Sequence, residues 1–168
     1  MTTLLLPDSE LVAQGWLAAI PGWSSAMVGT TLPRLGPVGP LPAWVSTGFV
    51  TVAVVGGTPA SHVPQAQPVL SISCYAVNAK CAGPGQPIST STKPPWGRAS
   101  QLAEQIRAAA YVLDKGAGRA VSMPVPGYAH AAAQSALLLS EPRRVPADLA
   151  SYARYQFDLQ LTWVAGSS

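Results

Sequence analysis

The sequence predicts an α+β domain: an antiparallel or mixed sheet of about four to five strands with two helices packed on one face. Three observations carry that expectation. Tyr155, Phe157, Leu159, Leu161 and Trp163 alternate with Gln156, Asp158, Gln160 and Thr162, the period of a half-buried strand. Residues 9–20 and 99–113 instead space their apolar side chains at the helical period. The whole chain is 168 residues, the length of one domain, so 1–168 is read as a single unit.

Taken in order, Pro7-Asp8-Ser9-Glu10 opens the first helix, because Asp8 or Ser9 can accept from the orphan amides of the first turn and an early acid suits the dipole. Val12, Trp16, Ala19 and Ile20 form its apolar stripe, and Pro21-Gly22 ends it. Ser24 to Leu32 reads as a short strand. The ten residues from Pro33 to Pro42 cannot be regular structure, since their prolines fix φ and remove donors. Trp44 to Val55 is dense in β-branched residues and reads as a long strand ended by Gly56-Gly57. Pro68 to Asn78 reads as another, with Leu70, Ile72, Cys74 and Ala76 on the apolar face.

Ala79 to Gly97 is a second loop, rich in Gly, Pro, Ser and Thr, and loops of this length are uncommon unless functional or disordered. Ala99 to Leu113 is the clearest helix, with Leu102, Ala103, Ile106, Ala109, Ala110 and Leu113 on its stripe and Gly116 and Gly118 at its end. Short strands are expected at Arg119 to Val125 and Ala136 to Ser140, while Ala129 to Ala133 fits helix and strand equally. Ala153 to Val164 closes the chain as a central strand whose apolar face meets the helices.

Composition narrows the function. Hydrophobic residues make up 48% and charged residues only 10%, so a lone copy would leave apolar surface without cover, which points to an assembly of several chains. A net charge of +3 with no basic run is too mild for a dedicated DNA binder. Cys74 and Cys81 form neither a CxxC motif nor a pair with clustered histidines, so they are expected to be reduced thiols and not zinc ligands. Met1-Thr2-Thr3 lacks a basic leader, and no apolar run free of Pro and Gly approaches the ~18 residues of a membrane span; the expectation is a cytosolic chain with no membrane partner.

No catalytic constellation is visible. His62 lies in a turn and His130 among alanines, each without a carboxylate orienter or a GxSxG elbow. Asp8, Glu10, Glu104, Asp114, Glu141, Asp148 and Asp158 are scattered singly, without metal-ligand or glycosidase spacing. The pairs Gly83/Gly85 and Gly116/Gly118 lack a phosphate-cradle frame. The reading is therefore no enzyme, no cofactor and no metal. Interface residues are sought instead where aromatics and cations meet the two proline-rich loops: Trp44, Lys80, Lys93, Trp96 and Arg98. Arg143-Arg144, the only adjacent basic pair, is a candidate for facing a DNA channel, with a solvated turn as the alternative.

In its overall pattern the chain resembles the tail terminator proteins of long-tailed (siphovirus) phages, particularly those of actinobacterial hosts. The resemblance runs from Asp8-Ser9-Glu10-Leu11-Val12 through Val28-Gly29-Thr30-Thr31-Leu32-Pro33, Val54-Val55-Gly56-Gly57 and Val69-Leu70-Ser71-Ile72-Ser73-Cys74-Tyr75-Ala76. It continues into the alanine-rich helix after Trp96-Gly97-Arg98 and closes at Tyr152-Ala153-Arg154-Tyr155-Gln156-Phe157-Asp158-Leu159. It spans nearly the whole chain, and the order and spacing of the segments carry it.

The resemblance implies a tail-terminator-like fold and a virion protein at the head-proximal end of the tail, assembled in the host cytoplasm. It implies a homo-oligomeric ring, usually a hexamer, that caps the tail tube, ends its polymerisation and offers a docking surface to the head. The implied partners are the major tail tube protein, a head completion or connector protein and, transiently and without sequence preference, phage DNA; the family has no catalytic residues to transfer. The proline- and glycine-rich segments 33–42 and 79–97 exceed what the family core needs. Another head-to-tail connector or tube protein, a small cytosolic ligand-binding module and an enzyme of unrecognised chemistry are the competing readings.

Overall fold

The computed structural model describes residues 4–59, 65–114, 118–147 and 149–166. Its class is α+β, with three helices and a mixed sheet among the described residues. The sheet has seven strands, more than the four to five expected, because three short pieces join it that carry too few residues to show a period: β1 (Val28–Gly29), β6 (Arg119–Val121) and β8 (Arg143–Arg144). The long strands are β2 (Phe49–Thr58), β3 (Gln65–Val77), β7 (Ala131–Leu138) and β9 (Tyr152–Ala165). The order is β1-β2-β3-β9-β7-β6, with β8 also paired to β9; only β1 to β2 is parallel. A separate two-stranded ribbon joins β4 (Ala79–Lys80) to β5 (Ser89–Thr90).

Helix α1 (Ser9–Ala18) starts as its capping signal requires: the Asp8 Oδ1 accepts from the Leu11 amide at 2.8 Å. Its buried face differs from the expected stripe, for Ala19 is exposed while Ala13, Gly15 and Leu17 join Val12, Trp16 and Ile20 inside. Gly15 is the reason. A β-carbon there would collide with the Ser122 carbonyl oxygen and lie 2.6 Å from Val121 Cγ1, so only glycine lets α1 lie this close to β6. Helix α3 (Trp96–Asp114) buries Leu102, Ala103, Ile106, Ala110 and Leu113, as its periodicity predicts.

Both helices cover the same face of the sheet. Their buried side chains form one core with Val50 and Val52 of β2, Leu70, Ile72 and Cys74 of β3, and Phe157, Leu159, Leu161 and Trp163 of β9. Strand β9 is central, flanked by β3 on one side and by β7 and β8 on the other.

The opposite face holds what the sequence did not announce. Register places Phe49, Tyr75, Val77, Tyr152 and Arg154 together on it. At one end of this face a second core is built from Trp44, Val45, Phe49, Val77 and Tyr152, with Leu32, Leu35 and Leu41 packed against it. A third, one-turn helix, α2 (Trp44–Thr47), supplies the first two. The strand expected from Trp44 therefore begins only at Phe49: burying Trp44 and Val45 favours a helical turn despite β-branched Val45 and Thr47, and Gly48, at φ +86°, turns the chain into β2. Farther along, this face is polar, with Arg154 donating to Ser73 Oγ and Gln156 to Ser71 Oγ.

Other boundaries moved for similar reasons. Of the nine residues expected as strand over 24–32, three form a 3-10 turn, Ser25–Met27, and only the next two, those of β1, are strand. Segment 79–97 is not one loop: β4 and β5 pair within it, and Trp96 and Gly97 already belong to α3, where the Arg98 and Ala99 amides bond back to the Pro95 carbonyl. The ambiguous Ala131 to Ala133 is strand, since β9 and β6 both pair with it, and β7 ends at Leu138, short of Ser140. Strand β6 stops at Val121, short of Val125. His62, Gly116 and Asp148 lie outside the described residues. Among the described residues no helix is long and apolar enough to cross a membrane.

Candidate functional site

The two proline-rich segments, separate in sequence, fold onto each other. The Gly39 amide donates to the Gln86 carbonyl at 2.7 Å, Gly85 N to Gly39 O at 3.2 Å and Ile88 N to Pro37 O at 3.1 Å, and Val38 bridges Pro87. Prolines supply acceptors and no donors, so each segment takes its few remaining amides to the other's carbonyls. Cys81 sits at this junction, its sulfur 3.0 Å from the Gly83 oxygen and 3.4 Å from that of Gln86. The result is one lobe at the end of the sheet where β3 finishes and β9 begins.

Between the lobe, α2 and the start of α3 lies an open cleft of about 770 Å3. Leu41, Pro42, Ala43, Val45, Val77 and Ala79 give it an apolar lining. Lys80 and Arg98 give it positive charge, Ser89 and Thr90 add hydroxyls, and among the described residues no carboxylate lines it. Arg98 is held by one nitrogen: its Nη1 donates to the Val45 carbonyl at 3.0 Å and to the Val77 carbonyl at 3.3 Å. Those two bonds join α2, β3 and α3, and they leave the Nε–H and the Nη2 pair as donors. Lys93 lies on the lobe beside the cleft, exposed, with its carbonyl accepting from Asn78 Nδ2.

Trp44 and Trp96, alike in sequence as aromatics bordering proline-rich loops, have different places. Trp44 is 4% exposed, edge-on to Phe49 and Tyr152, and belongs to the second core; its ring has no face left for a neighbour. Trp96 is half-buried at the first turn of α3, edge-on to Tyr155 with ring centres 6.0 Å apart. The adjacent arginines also separate. Strand geometry sends consecutive side chains to opposite faces. Arg144, paired with Tyr155, turns to the helix face, where its guanidinium lies 5.0 Å from the Trp96 ring centre and its Nε donates to the Tyr155 hydroxyl at 3.1 Å. Arg143, paired with Gln156, shares the polar face with Arg154.

Lys80, Lys93, Arg98, Arg143, Arg144 and Arg154 are thus brought to one end of the fold, a cationic grouping that the scattered sequence positions conceal. Among the described residues no three His, Cys, Asp or Glu side chains come together as a metal site. The Cys74 thiol is fully buried, and that burial pushes its pKa well above the ordinary thiol value, so it stays protonated. His130 is exposed on the far end of the sheet, where its carbonyl accepts from the Gly166 amide. The arrangement suits docking of another chain: a charged, partly apolar cleft on a rigid, proline-stiffened lobe. No family model matches the chain, and no curated protein matches its sequence.

Proposed function

We propose that the chain is a structural protein of a phage tail, a tail-terminator-like subunit that assembles into a closed ring, caps the tail tube and presents a docking surface to the head. The observation that carries the assembly part of this reading is the lobe formed by segments 33–42 and 79–97, which exceeds what the family core needs. It spends about thirty residues on a stiff projection that holds a cationic cleft. The resemblance of the chain's segment order to tail terminators supplies the family, and the α+β core of one sheet with two helices on one face is compatible with it. On this reading the chain has no catalytic residue and no cofactor. Its partners are further copies of itself, the tube protein, a head completion or connector protein and, transiently, DNA. Arg143, on the polar sheet face, is the better placed of the two adjacent arginines to meet DNA, because Arg144 is engaged by Trp96 and Tyr155.

Negative-stain electron microscopy of the purified chain, alone and mixed with purified tail tubes, tests the proposal. Discrete rings and an arrest of tube growth at one end are expected. Long tubes formed by the chain alone would make it a tube protein. Monomers that leave tube growth unchanged would remove the reading.

A further inference from the structure

The cleft at Lys80 and Arg98 has a chemical complement elsewhere on the same chain. Leu4, Leu5 and Leu6 are exposed, at 43%, 61% and 73%, an apolar triplet that the described residues of the single copy leave largely uncovered. Two acids follow directly. Asp8 is exposed and commits one oxygen to the Leu11 amide, and Glu10 commits one oxygen to the Val54 amide. Each carboxylate therefore retains a second oxygen. Leu5 is fixed in place, its amide donating to the Gly127 carbonyl and its carbonyl accepting from the Ala129 amide. The segment is a preformed ridge, apolar and then acidic, and the cleft is apolar and cationic.

Ridge and cleft cannot meet within one copy. Ser9 accepts from Trp163 Nε1 at 3.1 Å, which puts the ridge at the end of β9, whereas the cleft adjoins Val77, the register partner of Tyr152 at its beginning. From Tyr152 to Trp163 the strand covers roughly 35 Å at about 3.3 Å per residue. We propose that the ridge Leu4–Glu10 of one copy docks into the Lys80/Arg98 cleft of a second copy, head to tail. Leucine side chains of the ridge meet the apolar lining, and the free carboxylate oxygens of Asp8 and Glu10 meet the Lys80 ammonium and the Arg98 donors that its backbone bonds leave over. Different patches on the two partners make a heterologous contact, which closes into a ring or runs on as a filament. Single-stranded nucleic acid is the less suited occupant, because no aromatic side chain lines the cleft to stack a base.

This inference rests on the self-assembly reading above, and the test separates the two. A fluorescein-labelled peptide of residues 4–11 is titrated with the full chain, and the wild type, Lys80→Glu and Leu5→Asp are compared by sedimentation velocity; both substituted side chains are exposed, and circular dichroism checks that each variant is folded. The peptide should bind Leu5→Asp, whose intact cleft no neighbouring ridge fills, and lose at least tenfold in affinity to Lys80→Glu. Each variant alone should sediment as monomer. Their mixture should give one-to-one dimers, since one intact ridge and one intact cleft remain. Rings that persist in both variants would overturn the docking while leaving the ring reading in place. Open filaments that bind the peptide and dissolve in both variants would uphold the docking and overturn the ring. A Leu5→Asp chain that ignores the peptide, or a cleft where Lys80→Glu weakens a labelled oligonucleotide but not the peptide, would overturn the docking.

Discussion

Arg144 stands with its guanidinium carbon 5.0 Å from the centre of the Trp96 ring, tying the two residues of β8 to the first turn of α3. The same side chain donates to the Tyr155 hydroxyl, and the Tyr155 ring is edge-on to Trp96. Three residues from three elements thereby lock the rim of the sheet beside the lobe.

Arg144→Ala should therefore lower stability by about 1 kcal/mol, the combined scale of an exposed cation–π contact and one net hydrogen bond. Arg143→Ala, whose side chain shares none of these contacts, should change it by less than about 0.5 kcal/mol. Urea denaturation of the two variants measures the difference, and equal losses would show that Trp96 does not hold Arg144.

Gly15→Ala sets two effects against each other. Alanine is the better helix former by about 1 kcal/mol, yet its β-carbon would strike the backbone of Ser122 and the side chain of Val121. Backbone cannot yield as a side-chain tip does, so a net loss of about 1–3 kcal/mol is expected in spite of propensity. A rise in Tm would mean that α1 sits farther from β6.

Phe157→Ala removes a ring that is 1% exposed at the middle of β9, between the two helices and the sheet. The cost should be about 3–5 kcal/mol, measured as a shift of the denaturation midpoint. Unchanged melting would place this side chain on the other face.

The two thiols should behave differently. Cys74 is buried within the core and Cys81 is only partly covered, so iodoacetamide should label one cysteine in the native chain and two after unfolding. Because burial holds the Cys74 pKa up in the folded state, the fold favours the protonated thiol. Its contribution to stability is complete below the ordinary thiol pKa of about 8.5 and falls as pH rises beyond it, by up to about 1.4 kcal/mol per pH unit. Tyr152, raised by burial in the same direction, adds to the loss above pH of about 10. Cys74→Ala should flatten the decline between pH 8 and 10 in denaturant titrations; an unchanged slope would assign it to other groups.

The sequence by itself determined the class, α1 and α3, and the long strands β3 and β9. Each of these repeats its apolar residues often enough for a period to be read, and in α3, β3 and β9 the period matches the face the fold buries, as Leu70, Ile72, Phe157, Leu159, Ile106 and Leu113 do, whereas close approach at Gly15 shifted the buried face of α1. The cap at Asp8 was legible for the same reason, being a local contact three residues long. Tertiary structure alone decided what depends on residues far apart in the chain. It turned the β-branched stretch from Trp44 to Thr47 into a helical turn, because a second core awaited Trp44 and Val45 on the reverse face of the sheet. It recruited two-residue strands that no periodicity can show, and it sent Arg143 and Arg144 to opposite faces by pairing them with Gln156 and Tyr155. Above all it joined segments 33–42 and 79–97 through a few backbone hydrogen bonds, which brought Lys80 and Arg98 to one cleft. Proline-rich chain has no internal ladder of donors and acceptors, so its conformation is set by whatever distant backbone satisfies it.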